Sequence, residues 1–214
     1  MTERDNQKER LDLGRQIIVF IGPEGSGKTS IAEKLSEETG KPYITTGGLI
    51  RDLRDNDPGP LGDACRNMFA NNVYLDGAQL LEIMVNRLKK SDVENGFILD
   101  GGLRTVHETA DFQKMLDTAG RSMPLTVVYL DIPLWTSFER LVTGGNARKR
   151  VDGNGSGDTR VGVSKRLSQF YFKLEERLKI VRGEPNWKLI KIDATSEPVT
   201  VLNTTRQMLI DQKT

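Results

Sequence analysis

The chain has 214 residues, enough for one domain with a substantial core. Its net charge of +1 excludes the broad basic field of a nucleic-acid binder. One cysteine, Cys65, and one histidine, His107, exclude an intrachain disulfide and a zinc site built from cysteines and histidines.

Residues 1–15 are polar and charged and lack the apolar middle of a secretory signal. No apolar run approaches the ~20 residues of a membrane span. With the lone cysteine, this predicts a cytoplasmic protein without membrane or nucleic-acid partners, and a monomer is expected. Residues 16–21 read as a strand and 26–39 as a helix that stops at Gly40. A second strand is predicted over 42–45 and a helix over 48–54, broken by Asp57-Pro58-Gly59-Pro60. Two more helices follow over 61–70 and 77–89. In the second, Leu80, Leu81, Met84, Val85 and Leu88 repeat at helical spacing.

The third strand covers 96–100. Its Phe97, Ile98 and Leu99 are continuously apolar, as in a strand covered on both faces. A helix over 108–119 leads to a fourth strand at 124–131. The helix over 133–142 opens with proline in its first turn. Residues 143–157 are rich in glycine, arginine and lysine. One long helix is predicted over 159–182, a fifth strand over 187–193 and a last helix over 199–211. This alternation predicts an α/β fold: a five-stranded parallel sheet with helices on both faces and ligands at the carboxyl ends of the strands.

Directly after the first strand stands Gly22-Pro23-Glu24-Gly25-Ser26-Gly27-Lys28-Thr29. It fits G-x-x-x-x-G-K-S/T, the phosphate-binding loop, in the context that pattern requires: strand, glycine turn, helix. Glycines let successive backbone N–H groups face a triphosphate, and the next helix adds the positive end of its dipole. Gly22, Gly25, Ser26, Gly27, Lys28, Thr29 and Ser30 are thus candidate ATP-binding residues. Lys28 would reach the β- and γ-phosphates, and Thr29 would ligate Mg²⁺. A glycine-rich surface turn is the bland alternative. Asp100 ends the third strand, where a carboxylate can hold Mg²⁺ directly or through water; otherwise it caps the following turn.

Asn95-Gly96-Phe97-Ile98-Leu99-Asp100-Gly101-Gly102-Leu103-Arg104-Thr105 resembles the adenylate kinase family, which reads N-G-F-I-L-D-G-F-P-R-T there. Thr45-Thr46-Gly47-Gly48-Leu49-Ile50-Arg51 is similar to its S-T-G-D-L-L-R, and Asn71-Asn72-Val73-Tyr74-Leu75-Asp76 to its G-x-L-V-P-D. Glu139-Arg140-Leu141 and Lys165-Arg166-Leu167 match two further short motifs. In order and spacing the resemblance covers roughly residues 16 to 212.

The resemblance implies a P-loop NTPase fold in one kinase domain. Its core would be 16–45, 91–142 and 159–214, with a helical insertion over about 46–90 that binds a nucleoside monophosphate. A short lid would span about 143–158. The implied activity is transfer of the γ-phosphoryl group of Mg·ATP to a nucleoside monophosphate, AMP first of all, with Mg²⁺ as cofactor. Thr46, Gly47 and Arg51 would hold the acceptor, and Arg104 would grip its phosphate. Val73 would contact the acceptor base and Arg140 the donor adenine. Lys28, Arg104 and Arg166, joined by Arg150 from the lid, would neutralise the transferring group. Taken singly, Arg51, Arg140 and Arg166 also read as solvated helix faces, and residues 143–158 as a charged loop. A kinase of another small acceptor and a non-catalytic ATP-binding module are the competing readings.

Departures from the family pattern bear mainly on the acceptor. Gly102-Leu103 replaces Phe-Pro, removing an aromatic wall and a rigid turn ahead of Arg104. The family's glycine after the loop lysine is Thr29, so Ser30 is a second hydroxyl available for the same role. Gly48 deletes an aspartate. Glu108 replaces a glutamine that reads adenine. A glutamate only accepts hydrogen bonds, which suits the N1 and N2 donors of guanine; equally, it opens the next helix, where an acid suits the dipole.

Overall fold

The structure, a computed structural model, describes residues 10–71, 75–143 and 159–212. Val73, Arg150 and most of the expected lid lie outside the described residues.

β1 (Ile17–Ile21) is apolar on both faces. Ile17, Val19 and Ile21 enter one core and Ile18 and Phe20 the other, as the period of two in a strand requires. β2 (Tyr43–Thr45), β3 (Ile98–Asp100), β4 (Leu125–Asp131) and β5 (Trp187–Asp193) complete a five-stranded sheet in the order β2-β3-β1-β4-β5. All neighbours pair in parallel; Ile18 faces Ile98 on one side and Thr126 on the other. The expected α/β architecture is therefore present. β1 sits at the centre of the strand order, and the chain leaves its carboxyl end as the glycine loop.

α1 (Lys28–Thr39) packs Ile31, Ala32 and Leu35 into the Ile18–Phe20 core. α2 (Thr46–Asn56) starts two residues earlier than the sequence predicts, because the Thr45 hydroxyl caps it by accepting from the Gly48 N–H at 2.8 Å. α3 (Pro60–Asn71) begins with Pro60, and α4 (Gly77–Leu88) opens with a capping box between Asp76 and Gln79. A short 3₁₀ turn at Ser91–Val93, not expected from sequence, precedes β3. α5 (Val106–Thr118) also starts early, capped by Thr105. α6 (Leu134–Val142) follows β4, and α9 (Pro198–Asp211) closes the fold against α1 and β5.

The expected single helix over 159–182 is two. α7 (Arg160–Tyr171) ends at Phe172, which is extended, and Lys173 takes the left-handed conformation at φ 60° before α8 (Leu174–Gly183) begins. The break lets α8 bury Leu174, Leu178 and Val181 in the same core as Trp187. It also buries Arg177, 2% exposed, whose Nη1 donates to the Leu103 carbonyl at 2.9 Å and whose Nη2 donates to the Phe170 carbonyl. The guanidinium carbon lies 4.8 Å from the centre of the Phe170 ring. No glycine or proline marks this break, so the periodic pattern runs through it.

A left-handed non-glycine residue costs roughly 1–2 kcal/mol. Lys173→Gly is therefore expected to stabilise the protein by about 0.5–1 kcal/mol in urea unfolding. In a continuous helix the same change would cost about 1 kcal/mol, so the sign of the measured change decides.

Candidate active site

The loop over residues 22–29 leaves β1 and turns directly into α1. Gly25 and Gly27 hold φ of 83° and 84°, which ordinary side chains rarely adopt. A Cβ on Gly27 would meet no atom within 4 Å, so its backbone faces open space, as a cradle for an anion needs. The Ser26 N–H donates to the Pro23 carbonyl at 3.3 Å, closing the turn. The Ser26 hydroxyl is buried with no hydrogen-bond partner among the described residues. Lys28 Nζ lies along the loop, 3.3 Å from the Pro23 carbonyl oxygen.

Two side chains of α6 brace the loop from behind. The Ser137 hydroxyl donates to the Glu24 carbonyl. Arg140 Nη1 donates to the carbonyls of Gly25 at 3.2 Å and Ala194 at 3.0 Å, and Nη2 to that of Thr195 at 3.0 Å. Arg140 thus ties the loop to the turn after β5, a structural role that the sequence did not suggest.

Asp100 comes to the loop from the neighbouring strand. The Thr29 hydroxyl donates to Asp100 Oδ2 at 2.7 Å, and the Tyr43 hydroxyl donates to the same oxygen at 3.0 Å. Burial and the Asp100 carboxylate push the Tyr43 phenol above its ordinary value, so it stays a protonated donor. Asp100 is 7% exposed, and its Oδ1 is buried with no hydrogen-bond partner among the described residues. An unmatched oxygen on a buried carboxylate is costly. A carboxylate and a hydroxyl together offer the oxygen donors that a hard cation takes. Among the described residues no group of three His, Cys, Asp or Glu gathers. The single Asp100 carboxylate fits Mg²⁺, which is commonly bound through one or two carboxylates together with substrate phosphates. Thr29 meets Asp100; Ser30, exposed one residue further on, does not.

Glu24 lies inside the phosphate loop, and its Oε2 accepts from Arg166 Nε of α7 at 3.0 Å. Both side chains are about one quarter exposed, at 28% and 25%. Sequence reasoning missed this pair, although a carboxylate within an anion-binding turn is a charge conflict visible in the motif itself.

A cavity of about 460 Å³ lies beside Leu99 and Gly102. Thr46, Leu80, Met84, Gly102, Glu108 and Phe112 are among the residues that line it. A Cβ on Gly102 would come within 2.6 Å of Leu99 Cδ2, so the Leu99 side chain fills the space next to it. Leu103, where the family has proline, is buried and left-handed at φ 56°, and the Arg177 bond to its carbonyl holds it there. Arg104 follows on the surface; its Nε donates to the Gly101 carbonyl and its backbone N–H to Glu108 Oε2 at 3.0 Å. The Arg51 guanidinium lies over Gly47, where an added Cβ would meet Nη1 at 3.2 Å. Thr46 is buried at the start of α2. The Thr45 hydroxyl packs on Gly48, 2.6 Å from where a Cβ would stand.

The structure thus brings Lys28, Thr29, Asp100, Arg140 and Arg166 to the loop. It gathers Thr46, Arg104 and Glu108 on the Gly102 side.

A family model described as adenylate kinase matches residues 20–181. An adenylate kinase of Xylella fastidiosa is 34% identical over 153 residues, 72% of this chain and 78% of the relative. One from Trichodesmium erythraeum is 27% identical over 190 residues, covering 89% and 95%. One from Thermotoga neapolitana is 31% identical over 126 residues, 59% of this chain; the chain spans 57% of that relative's length. With a glycine loop facing a buried Asp100, and the match running from β1 into α8, the chain belongs to the adenylate kinase family.

Proposed function

We propose that the protein is a nucleoside monophosphate kinase that moves the γ-phosphoryl group of Mg·ATP to AMP. The contact of Thr29 with Asp100 carries this reading: it joins the phosphate loop to the strand that leads directly into Arg104. The relatives from Xylella fastidiosa and Trichodesmium erythraeum are adenylate kinases, which supports AMP as acceptor. Among the described residues no helix is long and apolar enough to cross a membrane.

In this reading the amides over residues 22–29 and Lys28 hold the donor phosphates. Thr29 and Asp100 would hold Mg²⁺, which when bound supplies charge neutralisation at the phosphate oxygens. Thr46, Gly47 and Arg51 hold the acceptor monophosphate, within the helical insertion over 46–90. Arg104 grips that phosphate through its planar fork, and Arg166, with Arg150 from a lid over 143–158, meets the transferring group. Arg140 steadies the loop and borders the donor adenine; Val73 contacts the acceptor base. Little covalent work is asked of the protein. Alignment, neutralised oxygens and exclusion of water supply the acceleration.

Glu108 supports a second reading, in which the acceptor base is guanine. Glu108 serves the first turn of α5, because its carboxylate accepts the Arg104 N–H. It also borders the cavity, where its remaining acceptor capacity suits donors on a base.

Turnover with AMP, GMP, CMP and UMP at fixed ATP is expected to yield ADP fastest with AMP. A preference for GMP that Glu108→Gln abolishes would select the second reading. Arg104→Ala should lower kcat/KM roughly 10³-fold; an unchanged value would remove Arg104 from the acceptor site.

Burial pushes the Glu108 carboxyl above its ordinary 4.5. The folded protein therefore holds this proton more tightly than the unfolded chain. The resulting stability is present below the unfolded value and is lost as pH rises through the folded one. Glu108→Gln escapes that loss. Its Tm relative to the parent should rise as pH increases past the ordinary carboxyl value of 4.5; a constant difference would contradict the shift.

A further inference from the structure

Tyr43 belongs to none of the sequence motifs. It stands in β2, the edge strand, two residues before Thr45, which pairs with Asp100 in the sheet. Its hydroxyl reaches the neighbouring β3 at Asp100 Oδ2, the oxygen that also accepts from Thr29. Two donors on one carboxylate oxygen fix the rotation about the Cβ–Cγ bond. They also leave the two oxygens unlike. Oδ2 is engaged twice, while Oδ1 is buried with no hydrogen-bond partner among the described residues.

We propose that Tyr43 is a positioning residue for the divalent cation: by engaging Asp100 Oδ2 together with Thr29 it leaves Oδ1 as the oxygen available to the cation. The inference rests on the kinase reading above, which supplies the nucleotide that brings the cation. Outer partners of metal-binding carboxylates act in this way, setting the orientation of a ligand they do not replace. Without the phenol, Asp100 is free to rotate and share both oxygens with Thr29. The cation then meets a carboxylate that has to be reordered before it can bind. A purely structural tyrosine would have a different signature. It would support β2 packing, and its loss would weaken nucleotide binding equally with and without the metal.

Calorimetric titration of ATP into the full chain, with and without Mg²⁺, separates these cases. The parent protein is expected to bind ATP more tightly with Mg²⁺. In Tyr43→Phe, which keeps the ring and removes only the hydroxyl, that metal-dependent gain should shrink about tenfold, with metal-free affinity within about twofold of the parent. Tyr43→Met, which also lacks the hydroxyl, should give the same split. A metal-dependent gain of parental size in either folded variant overturns the inference and leaves the kinase reading standing. Equal losses with and without Mg²⁺ overturn it in favour of packing alone. A parent protein that binds no ATP under either condition overturns both the inference and the kinase reading.

Discussion

A hydrogen bond of 2.7 Å between the Thr29 hydroxyl and Asp100 Oδ2 organises the carboxyl edge of this sheet. Thr29 stands in the first turn of α1, and Asp100 is the last residue of β3. The two meet because β1 and β3 are parallel neighbours in register, with Phe20 opposite Asp100. A slip of one residue would turn Asp100 to the opposite face of the sheet and leave the glycine loop without its carboxylate. The position of the polar pair is thus a product of strand register.

Much of this was legible in the sequence. Strands buried on both faces announce themselves as unbroken apolar runs, and a phosphate loop is local in the chain. Asp100 was legible for the same reason, as the first charge after Phe97, Ile98 and Leu99. The break between α7 and α8 was not. Phe172 and Lys173 carry no turn signal, and the chain bends there because Arg177, Leu178 and Val181 find partners far away in sequence. Tyr43 was missed because its partner is 57 residues distant and its own strand is short. The early starts of α2 and α5 come from hydroxyl caps at Thr45 and Thr105, which lie just before the helices that periodicity outlines.

The loop also carries its own counter-charge. Glu24 sits within the glycine loop, and Arg166 comes from α7 to meet it across 142 residues of sequence. The carboxylate would be costly beside a triphosphate if it stood alone. Paired, it gives the guanidinium a fixed approach to the loop. The departures at Gly102 and Leu103 are accommodated in the same local way. Leu99 fills the space beside Gly102, and the strained Leu103 is held by a bond from the interior.

That interior bond ties the stability of the molecule to the shape of its surface. Arg177 lies 74 residues beyond Leu103, yet it grips the carbonyl immediately before Arg104. Its charge is housed by backbone oxygens and one aromatic face, with no carboxylate hydrogen-bonded to it among the described residues. Lysine could not span both carbonyls with a planar fork, and a neutral side chain would leave them unsatisfied. A lesion deep in α8 would therefore reach the outside of the molecule as a loosened turn ahead of Arg104.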